Sequence, residues 1–221
     1  MSEAAQEIRP GRACGLTLVE LLVVMAIIAL LVAVLLPSLG AAREMARAAK
    51  AHAELHGLGL ALTMYALDNG RTYPPVRVNC NDDLREHWCQ LPVELAEGAY
   101  VPSGPPGGGL AAAVEDVFHP GHTYKYAAPG PGLMNGEPGY DHAMWIPADP
   151  PACESSDGEW CSDPKQGEVR WAAWSLGPQP DSEKSTNPRA PLDASAWYRR
   201  AGDTGVLVRF ADANGVFHKS P

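Results

Sequence analysis

Residues 16–36 form the longest apolar run of the chain, and Thr17 and Glu20 are its only polar positions. As a helix this run is about 31 Å long, enough to cross a hydrocarbon core. Pro37 follows at once. It has no N–H to give the carbonyl of Ala33, so a helix passing through it must kink or loosen there. Beyond it, apolar positions recur at helical spacing at Leu39, Ala42, Ala46, Ala49, Ala53, His56, Leu60 and Leu67. Leu55, Leu58, Leu62 and Tyr65 make a second, adjoining stripe. Together the stripes predict one broad face packed against a small domain, with His56 as a packed histidine. Gly57 and Gly59 weaken this helix by about 1 kcal/mol each relative to Ala. The Asp68-Asn69-Gly70 stop and Pro74-Pro75 end it.

After residue 75 the pattern shortens. Residues 76–95, VRVNCNDDLREHWCQLPVEL, begin strand-like and turn helical near Leu91 to Ala96. Residues 102–110, PSGPPGGGL, form a connector. HTYKYAAPG, from His122, alternates as one strand, and PGPGLMNGEPGYD reads as a loop. Residues 168–177, EVRWAAWSLG, are the best mid-chain strand. Residues 206–210 and 216–218 flank a hairpin turn at Asn214-Gly215. The fold class expected is α+β: a long N-terminal helix, half membrane and half amphipathic, on a small antiparallel sheet with long loops. The divisions expected are a leader at 1–15, a span at 16–36, the amphipathic continuation at 37–70, and a globular domain at 71–221.

Net charge is −9, and −8 of it falls in residues 71–221. An acidic domain repels phosphate backbones, which argues against general nucleic-acid binding. Of the five cysteines, Cys80 with Cys89 and Cys153 with Cys161 form two close pairs. Local pairs beyond a membrane segment favour disulfides in an oxidising compartment, which would put the domain outside the cytoplasm. Free thiols and a zinc site remain alternatives, though structural zinc prefers shorter steps. His119-Pro120-Gly121-His122 has no third metal ligand close in sequence. No serine lies in G-x-S-x-G, and no phosphate-cradling loop is present. The chain is therefore read as non-enzymatic, with no cofactor and no metal. Its six tryptophans are read as core.

Residues 15–20, GLTLVE, resemble the processing site of type IV pilins and type II secretion pseudopilins. That pattern is a glycine, a hydrophobic residue that is usually Phe, Thr, two apolar residues and Glu. Gly15 stands before the cut, Leu16 takes the place of the Phe, and Thr17 to Glu20 match in order. Pro37 falls where many members carry a kinking proline, and the long helix and its exit also resemble these proteins. The resemblance covers about the first third of the chain. It implies cleavage between Gly15 and Leu16 by a prepilin peptidase, N-methylation of Leu16, and an inner-membrane, single-pass subunit with a periplasmic domain. It further implies assembly with other pilin-like subunits by inner-membrane machinery. Glu20 would then pair with the terminal amine of a neighbour, which relieves the cost of a carboxylate in lipid. Related major pseudopilins hold calcium in a late loop, so Asp181, Glu183, Asp193 and Asp203 mark a possible calcium region.

The competing reading is a secreted or membrane-anchored binding protein or enzyme. Ser38-Leu39-Gly40 places small residues where signal peptidase reads. That reading leaves Glu20 without a role, and the run of residues 16–36 exceeds an ordinary signal core.

Overall fold

The computed structural model describes residues 17–79, 81–87, 89–102, 104, 110, 114–142, 169–181 and 196–221. The chain divides into two compact units, Met1–Gly40 and Ala41–Pro221. Helix α1 (Leu18–Asp68) begins in the first and ends in the second. In the first unit its apolar side chains are exposed from Leu18 onward. Pro37 lies inside the helix, and the Ser38 hydroxyl donates to the Leu35 carbonyl at 2.8 Å.

In the second unit α1 buries Ala48, Ala51, Leu55, Leu58, Gly59, Ala61, Leu62 and Ala66. The second stripe of the sequence thus faces the core, with Tyr65 half-buried at its edge. The first stripe does not. Ala42, Ala46, Ala49, Ala53 and His56 are exposed, and Leu60 and Leu67 are 49 % and 71 % exposed. The two stripes fall on nearly opposite sides of a helix with 3.6 residues per turn, so one small domain cannot cover both. The helix stops as expected. Gly70 takes a left-handed conformation and the Arg71 N–H returns to the Ala66 carbonyl at 2.6 Å, the long bond of a Schellman stop.

The sheet is built from β1 (Val76–Val78), β4 (Lys125–Ala127), β5 (Gly130–Met134), β6 (Glu137–His142), β7 (Val169–Ser175), β8 (Leu207–Asp212) and β9 (Phe217–Lys219). Strands β4-β7-β8-β9 pair antiparallel in that order, and β1-β5-β6 form a second group. Bridges from Gln90 to Arg77 and to Lys125 link the two groups. A short ribbon, β2 (Glu115–Asp116) with β3 (His119–Thr123), and a one-turn helix, α2 (Glu94–Glu97), complete the fold. The class is α+β, as expected. The β1–β5 pair is parallel, which the antiparallel expectation missed.

Two further expectations are corrected. Residues 130–142 form the β5–β6 hairpin rather than a loop. Its turn is Asn135-Gly136, both with positive φ, the pair that a two-residue hairpin turn demands. The glycines and prolines of its strands hide the alternation. HTYKYAAPG is not one strand. It breaks at Tyr124, because β3 pairs with β2 while β4 pairs with β7.

The core is centred on β7. Trp171 and Trp174 are buried from its two faces. Trp171 lies on the helix side, against Gly59, where an added Cβ would come within 2.5 Å of the indole. Phe217 meets the same indole edge-on, with ring centroids 5.2 Å apart. Gly57, two residues earlier and on the other side of the helix, faces open space. A buried polar group lies farther along the same side. Asp116 accepts from the Ser175 hydroxyl at 3.0 Å and the Phe118 N–H at 2.9 Å. Burial nevertheless pushes its carboxyl up to about 6.

The two helix glycines therefore answer oppositely to alanine. Gly57→Ala should stabilise the protein by about 1 kcal/mol, and Gly59→Ala should destabilise it by about 1–3 kcal/mol through overpacking on Trp171. Thermal unfolding of the two variants checks both signs. Asp116 has a folded-state pKa above its ordinary value of 3.8. It therefore favours the fold most below pH ~4, and that contribution disappears as pH rises through ~6. Asp116→Asn should flatten the fall in stability between these pH values by about 3 kcal/mol. Urea unfolding at acid and neutral pH would show it.

Candidate functional site

The N-terminal end of α1 is held by its own side chains. The helix starts at Leu18, which makes Thr17 its N-cap residue. The Glu20 N–H donates to the Thr17 hydroxyl at 3.2 Å. In return, Glu20 Oε2 accepts from the Thr17 N–H at 2.8 Å and from the Thr17 hydroxyl at 2.7 Å. Thr-x-x-Glu is thus a reciprocal capping box, which satisfies helix-end donors that would otherwise lack partners. The sequence contained this signal, since a threonine three residues before a glutamate at the head of an apolar run is the box's signature. Reading Glu20 only as an intermolecular partner missed its local role.

The helix that follows is continuously apolar through Leu36, and its large apolar side chains from Leu18 to Leu36 are exposed. It is long and apolar enough to cross a membrane. Its second half bears the carboxylates that anchor it to the domain. Glu44 Oε1 accepts from the Tyr198 hydroxyl at 3.0 Å and from the Gly202 N–H at 2.9 Å. Burial, and then the bond to Glu44, push the Tyr198 hydroxyl up to about 12. Glu54 accepts from the hydroxyl of buried Tyr124. His56 is exposed rather than packed inside. It accepts from Arg209 and sets its ring edge-on to Phe217.

Residues 11–36 match the family model of the prokaryotic N-terminal methylation motif. The chain carries a prepilin-type N terminus. This motif is the signature of type IV pilin-like and pseudopilin proteins, a structural rather than enzymatic class. No curated protein and no solved structure matches the chain. The motif implies processing by prepilin peptidase and assembly with other pilin-like subunits.

The prepilin-type residues divide by position. Gly15 and Leu16 lie outside the described residues, whereas Glu20 sits in the capping box and Pro37 inside α1. Cys89 is a fully buried free thiol, raised far above its usual pKa by that burial. The expected Cys80–Cys89 bridge is therefore not formed, while Cys153 and Cys161, and any bridge between them, lie outside the described residues, as does Cys80. Glu183 and Asp193 do as well, while Asp203 accepts from Arg200 Nε at 3.1 Å.

His119 and His122 do not converge. His119 Nε2 donates to the Gly177 carbonyl at 2.8 Å, and His122 Nδ1 bonds Glu86. Among the described residues no group of three His, Cys, Asp or Glu is placed to hold a metal. Ser175, Asp116 and His119 are close in the fold, but the Ser175 hydroxyl donates to the carboxylate, not to the imidazole. With its proton held by a buried carboxylate rather than an imidazole, and with no solvent access, Ser175 is a structural bond, not a nucleophile. A cleft of about 860 Å³ opens where α1 ends, beside Arg71, Tyr73, Arg170 and Asn214. It carries no nucleophile–base pair among the described residues that line it.

If the box sets the start of α1, Thr17→Ala should cost about 1 kcal/mol of local order. Amide exchange at residues 18–20 of the micelle-bound chain should quicken roughly fivefold, with residues 55–62 unchanged.

Proposed function

We propose that the chain is a filament subunit of the pilin-like class, cut between Gly15 and Leu16, methylated on Leu16, and assembled through α1. Within that class we favour a type II secretion pseudopilus, built at the inner membrane with the domain of residues 71–221 on the periplasmic side. The observation that carries this reading is the second apolar face of α1. Residues 41–68 already bury one side against the sheet. The opposite side still presents Ala42, Ala46, Ala49 and Ala53, followed by Leu60, Met64 and Leu67, the last three 49–71 % exposed. A helix that is apolar on both sides calls for a second covering. Helices of neighbouring subunits supply one, and the small residues of the first half let backbones approach closely.

Glu20 completes the arrangement. In lipid the carboxylate is costly unless paired. Its own Thr17 satisfies it in the single chain. The methylated amine of a neighbour's Leu16 would satisfy it in a filament and add a charge, which selects one axial register. The acidic balance of residues 71–221 fits a secretion filament better than one that handles nucleic acid.

Intact mass and N-terminal sequencing of the membrane-derived protein test the processing step. Loss of residues 1–15 with a methylated Leu16 is expected. A terminus at Ala41 would instead mean signal-peptidase release. Ala53→Glu tests the helix face. Because the side chain is exposed, its stability should stay within about 0.5 kcal/mol of the parent, while filament yield falls to background. Glu20→Ala should likewise insert and lose assembly, and normal filaments from either variant would refute this reading.

A further inference from the structure

On the second unit's helix, Arg43, Arg47, Lys50 and Glu54 follow one another along one side, while Glu44 is turned to the domain. Arg43, Arg47 and Lys50 follow one another at four and three residues, so they share one side of α1. Arg43 and Arg47 are exposed, and Lys50 keeps 63 % of its side chain in solvent. Each of the two neighbouring carboxylates is bonded by the domain. Glu44 is taken by Tyr198 and Gly202, and Glu54 by Tyr124. Lys50 lies 3.5 Å from Glu54 Oε1 in a partly exposed pair, a weak contact at such a site. Among the described residues Arg43 and Arg47 have no anionic partner.

We propose that Arg43 and Arg47 form a seat for anionic phospholipid headgroups while the subunit is anchored in its membrane. This inference rests on the reading of residues 16–36 as a membrane span. Arg43 is seven residues past Leu36, about 10 Å of helix axis. The headgroup region outside the hydrocarbon core begins within that distance. Side chains on a helix lean toward its N-terminus, here toward the span, and long basic side chains extend to the interface. Lipid phosphates therefore match the place, sign and reach of these groups. Each cation near an anionic surface is worth roughly fivefold in binding.

The test uses the full chain in nanodiscs that contain phosphatidylcholine and phosphatidylglycerol together. Native mass spectrometry then counts the lipids retained on the ejected protein. The expected result is a retention of phosphatidylglycerol over phosphatidylcholine by at least ~5-fold. R43K/R47K should keep that preference, R43Q/R47Q should reduce it, and R43E/R47E should abolish it. No preference in the parent, or the same preference in R43E/R47E, overturns the proposal. So does retention of a second copy of the chain in place of lipid, lost in R43E/R47E, which would assign these cations to an acidic neighbour. Failure of the chain to enter the nanodisc would overturn the membrane reading itself, and this proposal with it.

Discussion

The contact between the bare backbone at Gly59 and the indole of Trp171 sets the depth at which α1 lies on the sheet. An alanine methyl would fall inside the ring's van der Waals surface, so the helix could not come as close with any other residue there. Trp171 is fixed in turn by β7, which pairs with β4 on one side and β8 on the other. Phe217 closes the pocket from β9. With the helix at that depth, Glu44 and Glu54 reach the tyrosine hydroxyls of the domain. The rest of the helix surface is then left over, and what is left over is apolar on one side and cationic on another.

Much of this was legible beforehand. The long apolar helix, the stop at Gly70, strand β7 and the final hairpin all carry local signals: continuous apolarity, a glycine stop, a dense apolar run and an Asn-Gly turn. Hairpin β5–β6 was not. Its strands are rich in Gly and Pro, so the pairing partner rather than the residues themselves makes them strands. Its turn did carry a readable Asn135-Gly136 signal. The parallel β1–β5 pair is a long-range choice that no local pattern encodes. The helix stripes were visible, but which of them faced the domain was not. Both have the right period, and the decision rests on Gly59 meeting a tryptophan more than a hundred residues away. Of the candidate site, the cleavage motif and Glu20 were plain in the sequence, while the anchoring roles of Glu44 and Glu54 depend on tyrosines distant in the chain.

Residues 41–68 thus contradict the usual economy of a surface helix, which keeps one stripe apolar and the rest polar. Here the apolar content is divided between two sides and the polar content is concentrated at the flanks. Such a helix is adequately folded in the single chain but incompletely covered.

The capping box has a kinetic consequence. A subunit that assembles through Glu20 does not bring a bare carboxylate to the growing end, because Thr17 already occupies it. In the proposed filament, pairing with a neighbour's amine would exchange one satisfied state for another, and only their difference would drive the step. The smaller that difference, the more reversible each addition would be. Misaligned subunits can then detach and try again, so that axial order is reached by annealing rather than by irreversible capture.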